Sequence, residues 1–402
     1  MAEPARILRI GIAGLGLAGS TMAQAIAAHP HAKVAAAADL KEEVRENFAR
    51  DFAVETFPSV EEMCASDSVD VVYIATPNWL HKEHALLAAA HRKHLIVEKP
   101  MALTLEECDA MIAAAEENRV KLVAGHTHSF DPGIRKMAEI IGSGAVGPVH
   151  FINTWNYADF LYRPRRSDEL DTTLGGGVMF NQAPHQIDIV RLLGGGLVRT
   201  VRAMTFNWDP KRPTEGAYSS FLQFEDGATA SVIYSGYDHF DSDEFHMWLG
   251  ERGQQKVDDG HGSARRSLQS LTSPEEETAF RASIFGYGGA WLTTLKQARG
   301  ERHQPHFGIL IVSCENGDLR LSRSGVLLYT DQGKREEPVT LVGPEPGKGE
   351  VIDELYDAVV TGRPHLHDGR WGKATMEVCL AILQSARERT EIHLQHQTAV
   401  PK

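Results

Sequence analysis

The segment ILRIGIAGLGLAGSTMAQAIAAH, residues 7–29, decides the fold. An apolar run, ILRIGIAG (7–14), runs into Gly14-Leu-Gly16-Leu17-Ala18-Gly19 and then into the helical pattern STMAQAIAAH. Strand, GxGxxG turn and helix in that order describe a phosphate-binding turn. Gly14 permits the tight turn, and Gly16 lets a pyrophosphate approach the backbone. Gly19 lets helix and strand pack closely, and the helix start at Leu17 and Ala18 offers amide donors. Asp39 closes the next apolar run, KVAAAAD (33–39), twenty residues past Gly19. A carboxylate there accepts from ribose hydroxyls and repels a 2′-phosphate, so NAD is favoured over NADP; Lys41 nearby leaves NADP open.

The same alternation continues outward. LKEEVRENFARDF reads as a helix, VDVVYIAT (69–76) as a strand and HKEHALLAAAHR as a helix. HLIVEK (94–99) is a strand, LEECDAMIAAAEENR a helix and KLVAG (121–125) a strand. Continuous apolar strands alternating with helices predict a parallel sheet covered on both faces. Past residue 148 the pattern changes to longer, partly alternating strands: VHFINTWNY, VRTVRAMTFNW, AYSSFLQFED and ATASVIYSGY, with EDG (225–227) as a hairpin turn. HFGILIVSCENGDLRLSRSGVLLYTDQGK reads as three short strands, and two helices close the chain. The expected fold is α/β. A Rossmann dinucleotide-binding domain spans 1–128, and an α+β domain with a large, mostly antiparallel sheet spans 129–402. Residues 251–304, charged and partly helical, are read as an insertion in the second domain.

With 402 residues, two domains are the natural expectation. A formal net charge of -13 gives no electrostatic case for nucleic acid or an anionic membrane. No apolar run is long enough to span a bilayer, and the N-terminus lacks a signal-peptide core. Cys64, Cys108, Cys314 and Cys379 lie far apart without a CxxC pair, which reads as free thiols in a reducing, cytoplasmic setting. The run His239–His246 is rich in His, Asp and Glu, but alternation along a strand sends its side chains to opposite faces. A polar sheet face is therefore expected there, and no metal.

Three further stretches stand at expected C-terminal strand ends, where open α/β sheets bind ligands. They are Thr76-Pro77-Asn78 with His81, Glu98-Lys99-Pro100, and GGGVMFNQAPHQID (175–188), which carries Asn181 and His185 one turn apart. Together with the glycine turn, they resemble the Gfo/Idh/MocA family of nicotinamide-dependent oxidoreductases. The resemblance implies that Thr76, Pro77, Asn78, His81, Glu98 and Lys99 line the cofactor. It also implies that Lys99 and His185 are catalytic. Asn181 falls where many members carry aspartate, and Ser129 stands where the family has an arginine.

Oxidising a carbinol needs a hydride acceptor and a group to take the hydroxyl proton. His185 is suited to the second task and Lys99 to stabilising negative charge on the oxygen. Asn181 can hydrogen-bond but cannot compensate an imidazolium. It is either a catalytic position working without the carboxylate or a helix cap.

HSFDPGI, NYADFLYRPRRSDELDT, FNQAPHQIDIVRLLGGGLVRTVRA, WDPKRPTEGAYSS and YSGYDHFDSDE extend the likeness. They resemble a branch of the family, the bacterial phthalate cis-4,5-dihydrodiol dehydrogenases. That implies NAD-dependent oxidation of 4,5-dihydro-4,5-dihydroxyphthalate to the catechol, a reaction drawn forward by the gain of aromaticity. Arg163, Arg165 and Arg166 share one loop and suit the carboxylates of such a substrate; the alternative is a loop paired with Asp168, Glu169 and Asp171. His126 and His128 are either pocket residues or ordinary loop histidines. Two other functions stay open: a sugar or cyclitol dehydrogenase of the same family, and a cofactor-binding sensor without catalysis. The expected partners are a small carboxylated substrate and a second copy of the chain, as a homodimer or homotetramer through the C-terminal sheet.

Overall fold

The computed structural model describes residues 6–125, 127–290, 302–343 and 345–401. The chain divides into two compact units. The first comprises Met1–His126, Ala282–Gln297 and Val342–Lys373; the second comprises Thr127–Arg281, Ala298–Leu341 and Ala374–Lys402.

Among the described residues, the first unit holds six parallel strands: β1 (Leu8–Ala13), β2 (Ala32–Ala38), β3 (Glu55–Phe57), β4 (Val71–Ile74), β5 (His94–Glu98) and β6 (Leu122–Gly125). Their order is β3-β2-β1-β4-β5-β6, the doubly wound arrangement. Helices cover both faces of the sheet, so its strands are apolar throughout: every residue of β4 is buried, as are Leu95 to Glu98 of β5. The C-terminal ends of β1, β2, β4 and β5 deliver Gly14, Asp39, Thr76 and Lys99 to one edge of the sheet, where such folds bind ligands. Two elements escape the sequence pattern, β3 and the helix Val60–Ala65. Three and six residues are too short to show a period.

The second unit is built on a nine-stranded sheet, again among the described residues. It comprises β7 (Val149–Tyr157), β8 (Val198–Phe206), β9 (Ala217–Phe224), β10 (Thr229–Ser235), β11 (Ile309–Cys314), β12 (Gly317–Leu321), β13 (Gly325–Thr330), β14 (Gly333–Pro338) and β15 (Ile392–His393). The order is β14-β13-β12-β11-β7-β10-β9-β8-β15, antiparallel except where β10 runs parallel to β7. The expected EDG hairpin joins β9 to β10, with Gly227 at φ 93° and the Asp226 carboxylate accepting from the Ala228 amide. Burial alternates strictly along β10, and the buried face receives the helix Ala183–Leu193. From that helix Gln186 donates to the Thr154 hydroxyl and the Ile233 carbonyl, and accepts from the Tyr218 hydroxyl. β14 and β15 are missing from the sequence reading, being a charged edge strand and a two-residue pairing.

Three expectations need correction. Residues 129–402 are not one domain. The segment Val342–Lys373 belongs with the first unit, where Ala124 N donates to His367 O, His365 faces Leu122 O, and the Tyr356 ring stacks on His31. Residues Ala282–Gln297 of the expected insertion also group there; Tyr287 donates to Asp51 and packs on Phe48. These are contacts between chain segments far apart, which no local pattern reports. The run His239–His246 is not a sheet face, because β10 ends at Ser235 and Ser242–His246 forms a 3-10 turn. Asp241 starts that turn by accepting from the Asp243 amide.

The four cysteines are free thiols; Cys64, Cys108 and Cys379 are buried. Burial raises the Cys64 thiol to about 11 and the Cys108 thiol to about 12. No helix among the described residues is long and apolar enough to cross a membrane.

Candidate active site

In the first unit, the glycine turn is shaped from inside at two positions and open at the third. Gly14 has φ 91°, and a Cβ there would lie 2.8 Å from Ala75 O. A Cβ on Gly19 would lie 2.0 Å from Gly14 O, so no side chain fits. A Cβ on Gly16 would meet nothing within 4 Å. Its glycine is not required by the protein's own packing, which fits a position that a ligand's phosphates approach. Gly16 starts the helix Leu17–Ala28 without a side-chain cap, and no acidic residue stands in the first turn. The first-turn positions Leu17, Ala18 and Gly19 therefore present an uncapped, electropositive helix start to an anion.

Asp39 binds the same turn. Its Oδ2 accepts from Leu15 N at 3.0 Å, and Oδ1 from Lys41 N at 2.9 Å. An ionised carboxylate has further lone pairs for ribose hydroxyls. Arg45, absent from the sequence reading, donates to the carbonyls of Asp39 and Leu40. An arginine four residues past Lys41 on a helix start is a signal the spacing did contain. These residues fit a dinucleotide: an open glycine at a helix N-terminus and a carboxylate beside it.

Thr76 and Pro77 lead into the short turn Asn78–Leu80. The Thr76 hydroxyl pairs with His84 Nδ1 at 2.9 Å. His81, expected at the cofactor, instead lies inside the unit. Its Nε2 is 2.9 Å from Thr76 O and its Nδ1 2.8 Å from Pro100 O. Burial holds it below the usual histidine pKa, although both carbonyls and Glu98 pull the other way. His81 thus joins the Thr76 loop to the turn that follows Lys99.

Glu98 is buried too. It accepts from the Tyr73 hydroxyl and from Lys99 N, and Lys348 Nζ lies 3.7 Å away. Burial pushes its pKa up, but Lys348, Lys99 and Tyr73 outweigh that and hold it below the usual value. Lys348 was missed because it stands some 250 residues further along the chain.

In the second unit, two of the three glycines, Gly176 and Gly177, are packing requirements. A Cβ on Gly176 would sit 2.6 Å from Glu169 O, and one on Gly177 2.2 Å from the Thr214 hydroxyl. The run leads into the short helix Gly177–Asn181, and Gln182 starts the next helix, Ala183–Leu193. Asn181 is therefore not the cap of the His185 helix. Its Nδ2 donates to Gly175 O at 3.0 Å and Gly177 O at 2.9 Å, tying the glycine loop closed.

His185 is buried. Its ring meets His128 edge to face, centroids 4.7 Å apart, and Phe307 at 5.2 Å. Phe307 also touches His128 and stacks with Tyr234. The Tyr234 hydroxyl donates to Gln182. Burial and Glu251 raise the Tyr234 pKa, with Arg163 opposing. Asp131 accepts from His128 Nδ1 at 2.7 Å. His128 thus stands beside His185; His126 lies outside the described residues.

Of the two readings held for the arginine loop, pairing within the loop is the one seen at Arg165 and Arg166. Arg166 forms a fork with Asp168, both contacts 2.9 Å. Arg165 donates to Phe160 O, stacks over the Phe160 ring and pairs with Glu169 at 3.6 Å. Burial lowers the Arg165 pKa to about 10, while Arg165, Arg281 and Arg166 overcome burial to hold Glu169 at about 2. Arg165 and Arg166 are thus committed within the chain, and Asp171 accepts from Thr173 N rather than from an arginine. Arg163 binds Asp159 at 2.7 Å and reaches Glu251 at 3.7 Å. Among the described residues, no group of three or more His, Cys, Asp or Glu side chains is placed to hold a metal ion.

The chain is similar to known proteins over most of its length. Residues 8–126 match the model for an oxidoreductase family with an NAD-binding Rossmann fold, and residues 134–254 match the GFO/IDH/MocA C-terminal domain. The chain is 39% identical over 381 residues to a 1-carboxy-3-chloro-3,4-dihydroxycyclohexa-1,5-diene dehydrogenase of Comamonas testosteroni, covering 94% of this chain and 95% of that one. It is 42% identical over 297 residues to a scyllo-inositol 2-dehydrogenase (NADP(+)) of Bacillus subtilis strain 168, covering 71% of this chain and 87% of that one. The crystal structure of a putative dehydrogenase from Bordetella bronchiseptica RB50 superposes with a TM-score of 0.91 at 47% identity, covering 96% of this chain and 100% of that one. With an NAD-type Rossmann unit and a matching second unit, the chain belongs to the Gfo/Idh/MocA family of oxidoreductases and is an NAD-dependent dehydrogenase.

Proposed function

We propose that the chain oxidises a cis-dihydrodiol of a ring-carboxylated aromatic compound to the catechol. The observation that carries this reading is the setting of His185, a buried imidazole walled by the flat rings of His128 and Phe307, with Tyr234 stacked beyond. Such walls suit a flat, partly unsaturated six-membered ring better than a polyol. The likeness to the Comamonas testosteroni diene-diol dehydrogenase, over nearly the whole of both chains, supports the same substrate class.

His185 takes the hydroxyl proton as the carbinol carbon gives up its hydride. Lys99 stabilises the negative charge that develops on the oxygen. Gly14, Gly16, Leu17, Ala18, Gly19 and Asp39 hold NAD, which supplies a two-electron hydride acceptor when bound. The ketone formed tautomerises to the catechol, and the aromaticity gained draws the reaction forward. Arg163 is the proposed cation for the ring carboxylate, through guanidinium N–H groups beyond the one bound to Asp159 at 2.7 Å, with Glu251 at 3.7 Å. The substrate proposed first is 4,5-dihydro-4,5-dihydroxyphthalate.

The test is the absorbance of reduced nicotinamide when purified protein and NAD meet this diol, a monocarboxylated cyclohexadiene diol, or scyllo-inositol. Reduction with the phthalate diol supports the full reading. Reduction with the monocarboxylated diol alone keeps the reaction and removes the second carboxylate. Reduction with scyllo-inositol alone overturns the dihydrodiol reading in favour of a cyclitol dehydrogenase, to which the Bacillus subtilis relative points. NAD binding without reduction of any kind supports a sensor.

A further inference from the structure

Position 181 carries no charge, and its amide nitrogen is occupied by the carbonyls of Gly175 and Gly177. An imidazolium forming on His185 therefore gains no countercharge from there. The structure holds a carboxylate elsewhere in the same unit, one imidazole ring away. Asp131 stands at the start of the helix Pro132–Gly142, where an aspartate ordinarily accepts from the helix's own first-turn amides. Here its side chain makes no cap bond and turns instead to His128 Nδ1, at 2.7 Å. Asp131 is 2% exposed. The His128 ring then meets the His185 ring at 82°, and Phe307 closes over both.

We infer that Asp131 and His128 form a positioning pair that supplies His185 with the countercharge Asn181 lacks. The inference rests on the reading of His185 as proton acceptor. The Asp131 carboxylate, held by His128 Nδ1 on the far side of the ring that meets His185, brings negative charge near His185 when ionised, and a negative charge favours the protonated form of a neighbouring imidazole. The pair also fixes the His128 tautomer and its ring plane, and so the wall against which His185 rests. The other titratable groups nearby are Glu251 and His306. Burial, with Glu251, raises the Asp131 pKa above the usual carboxylate value, and the hydrogen bond from His128 opposes that rise. His306 is turned away, with Nε2 2.8 Å from Leu249 O, and burial holds it well below the usual histidine value.

The test is the ring titration of His185 by NMR in the full chain with carbon-labelled histidine, its resonance identified by loss in His185→Gln. No substrate is needed. Asp131→Asn and His128→Gln each lower the His185 midpoint by about one pH unit, a tenfold change in proton affinity. Adding Asn181→Asp to Asp131→Asn restores it. If Asp131→Asn does not fold, His128→Gln carries the test. A His185 midpoint that moves by less than about 0.3 unit in the folded variants overturns the pairing, as does failure of Asn181→Asp to restore it. Full turnover by His185→Gln overturns the proton-acceptor reading instead, whatever the titration shows.

Discussion

The Lys348 ammonium lies 3.7 Å from the Glu98 carboxylate, and both side chains are about nine-tenths buried. The pair ties the segment that returns to the first unit to the strand end that carries Lys99. Truncating one partner leaves the other charge buried with less compensation, which costs about 3–5 kcal/mol in comparable sites. Lys348→Met therefore lowers the melting temperature markedly. The pH dependence follows from Glu98, whose pKa is held below its ordinary 4.5 in the folded chain. Its stabilisation is fully present above that value and is lost as pH falls through the folded pKa. Lys348→Met brings the folded value back up, so acid unfolding begins at higher pH. Unchanged melting and acid midpoints would show that the pair contributes nothing.

The glycine turn separates folding from binding. Gly19→Ala places a Cβ against Gly14 O and destabilises the chain, seen as a lower melting temperature. Gly16→Ala meets no protein atom within 4 Å, so melting without cofactor is unchanged while NAD affinity falls. Calorimetry with and without NAD distinguishes the two; equal loss of stability in both variants would contradict the geometry.

Asp39 is the proposed selector of the cofactor's ribose. Asp39→Ala removes a charge-assisted bond worth about 1.5–3 kcal/mol, so the KM for NAD rises about ten- to a hundredfold. NADP use improves as the carboxylate no longer repels the 2′-phosphate, with Arg45 close by. Initial rates with both cofactors check this, and an unchanged NAD/NADP ratio would count against Asp39 as the selector.

His185→Gln lowers kcat by about a hundred- to ten-thousandfold, the range for loss of a general base. NAD binding, followed by quenching of tryptophan fluorescence, stays intact because no cofactor-holding residue changes. Loss of both together would mean that the variant had misfolded.

The arginine loop yields a contrast between neighbours. Arg163→Ala raises KM for a carboxylated diol, whereas Arg166→Ala leaves it near the parent value, because Asp168 takes two guanidinium nitrogens of Arg166 in a fork while Asp159 takes one of Arg163. Steady-state kinetics of the two variants measure this, and equal effects would restore a shared carboxylate clamp.

The candidate site divides along the same line in what could be read beforehand. Gly14, Gly19 and Asp39 were legible because a strand, a turn and a helix are local, and each residue acts on its near neighbours. His185 was singled out through the family resemblance carried by the stretch GGGVMFNQAPHQID. Asp131, Phe307 and Lys348 were not, since each matters only through a contact made across the fold. Arg165, Arg166 and His81 carried the right chemistry for a ligand site, yet folding supplied them with internal partners. For the arginines the sequence offered both outcomes, and the fold brings Asp168 to Arg166 and Glu169 to Arg165.

By itself the amino-acid sequence determined the parallel Rossmann sheet, the mostly antiparallel second sheet and the cofactor class. Those depend on periodicity and on short-range turn chemistry, which neighbouring residues specify. The tertiary structure alone decided that Val342–Lys373 belongs with the first unit, that Asn181 closes a glycine loop, and that a carboxylate stands behind His185 through His128. Burial and electrostatic pairing depend on distance in space, and distance in space is set only when the whole chain has packed.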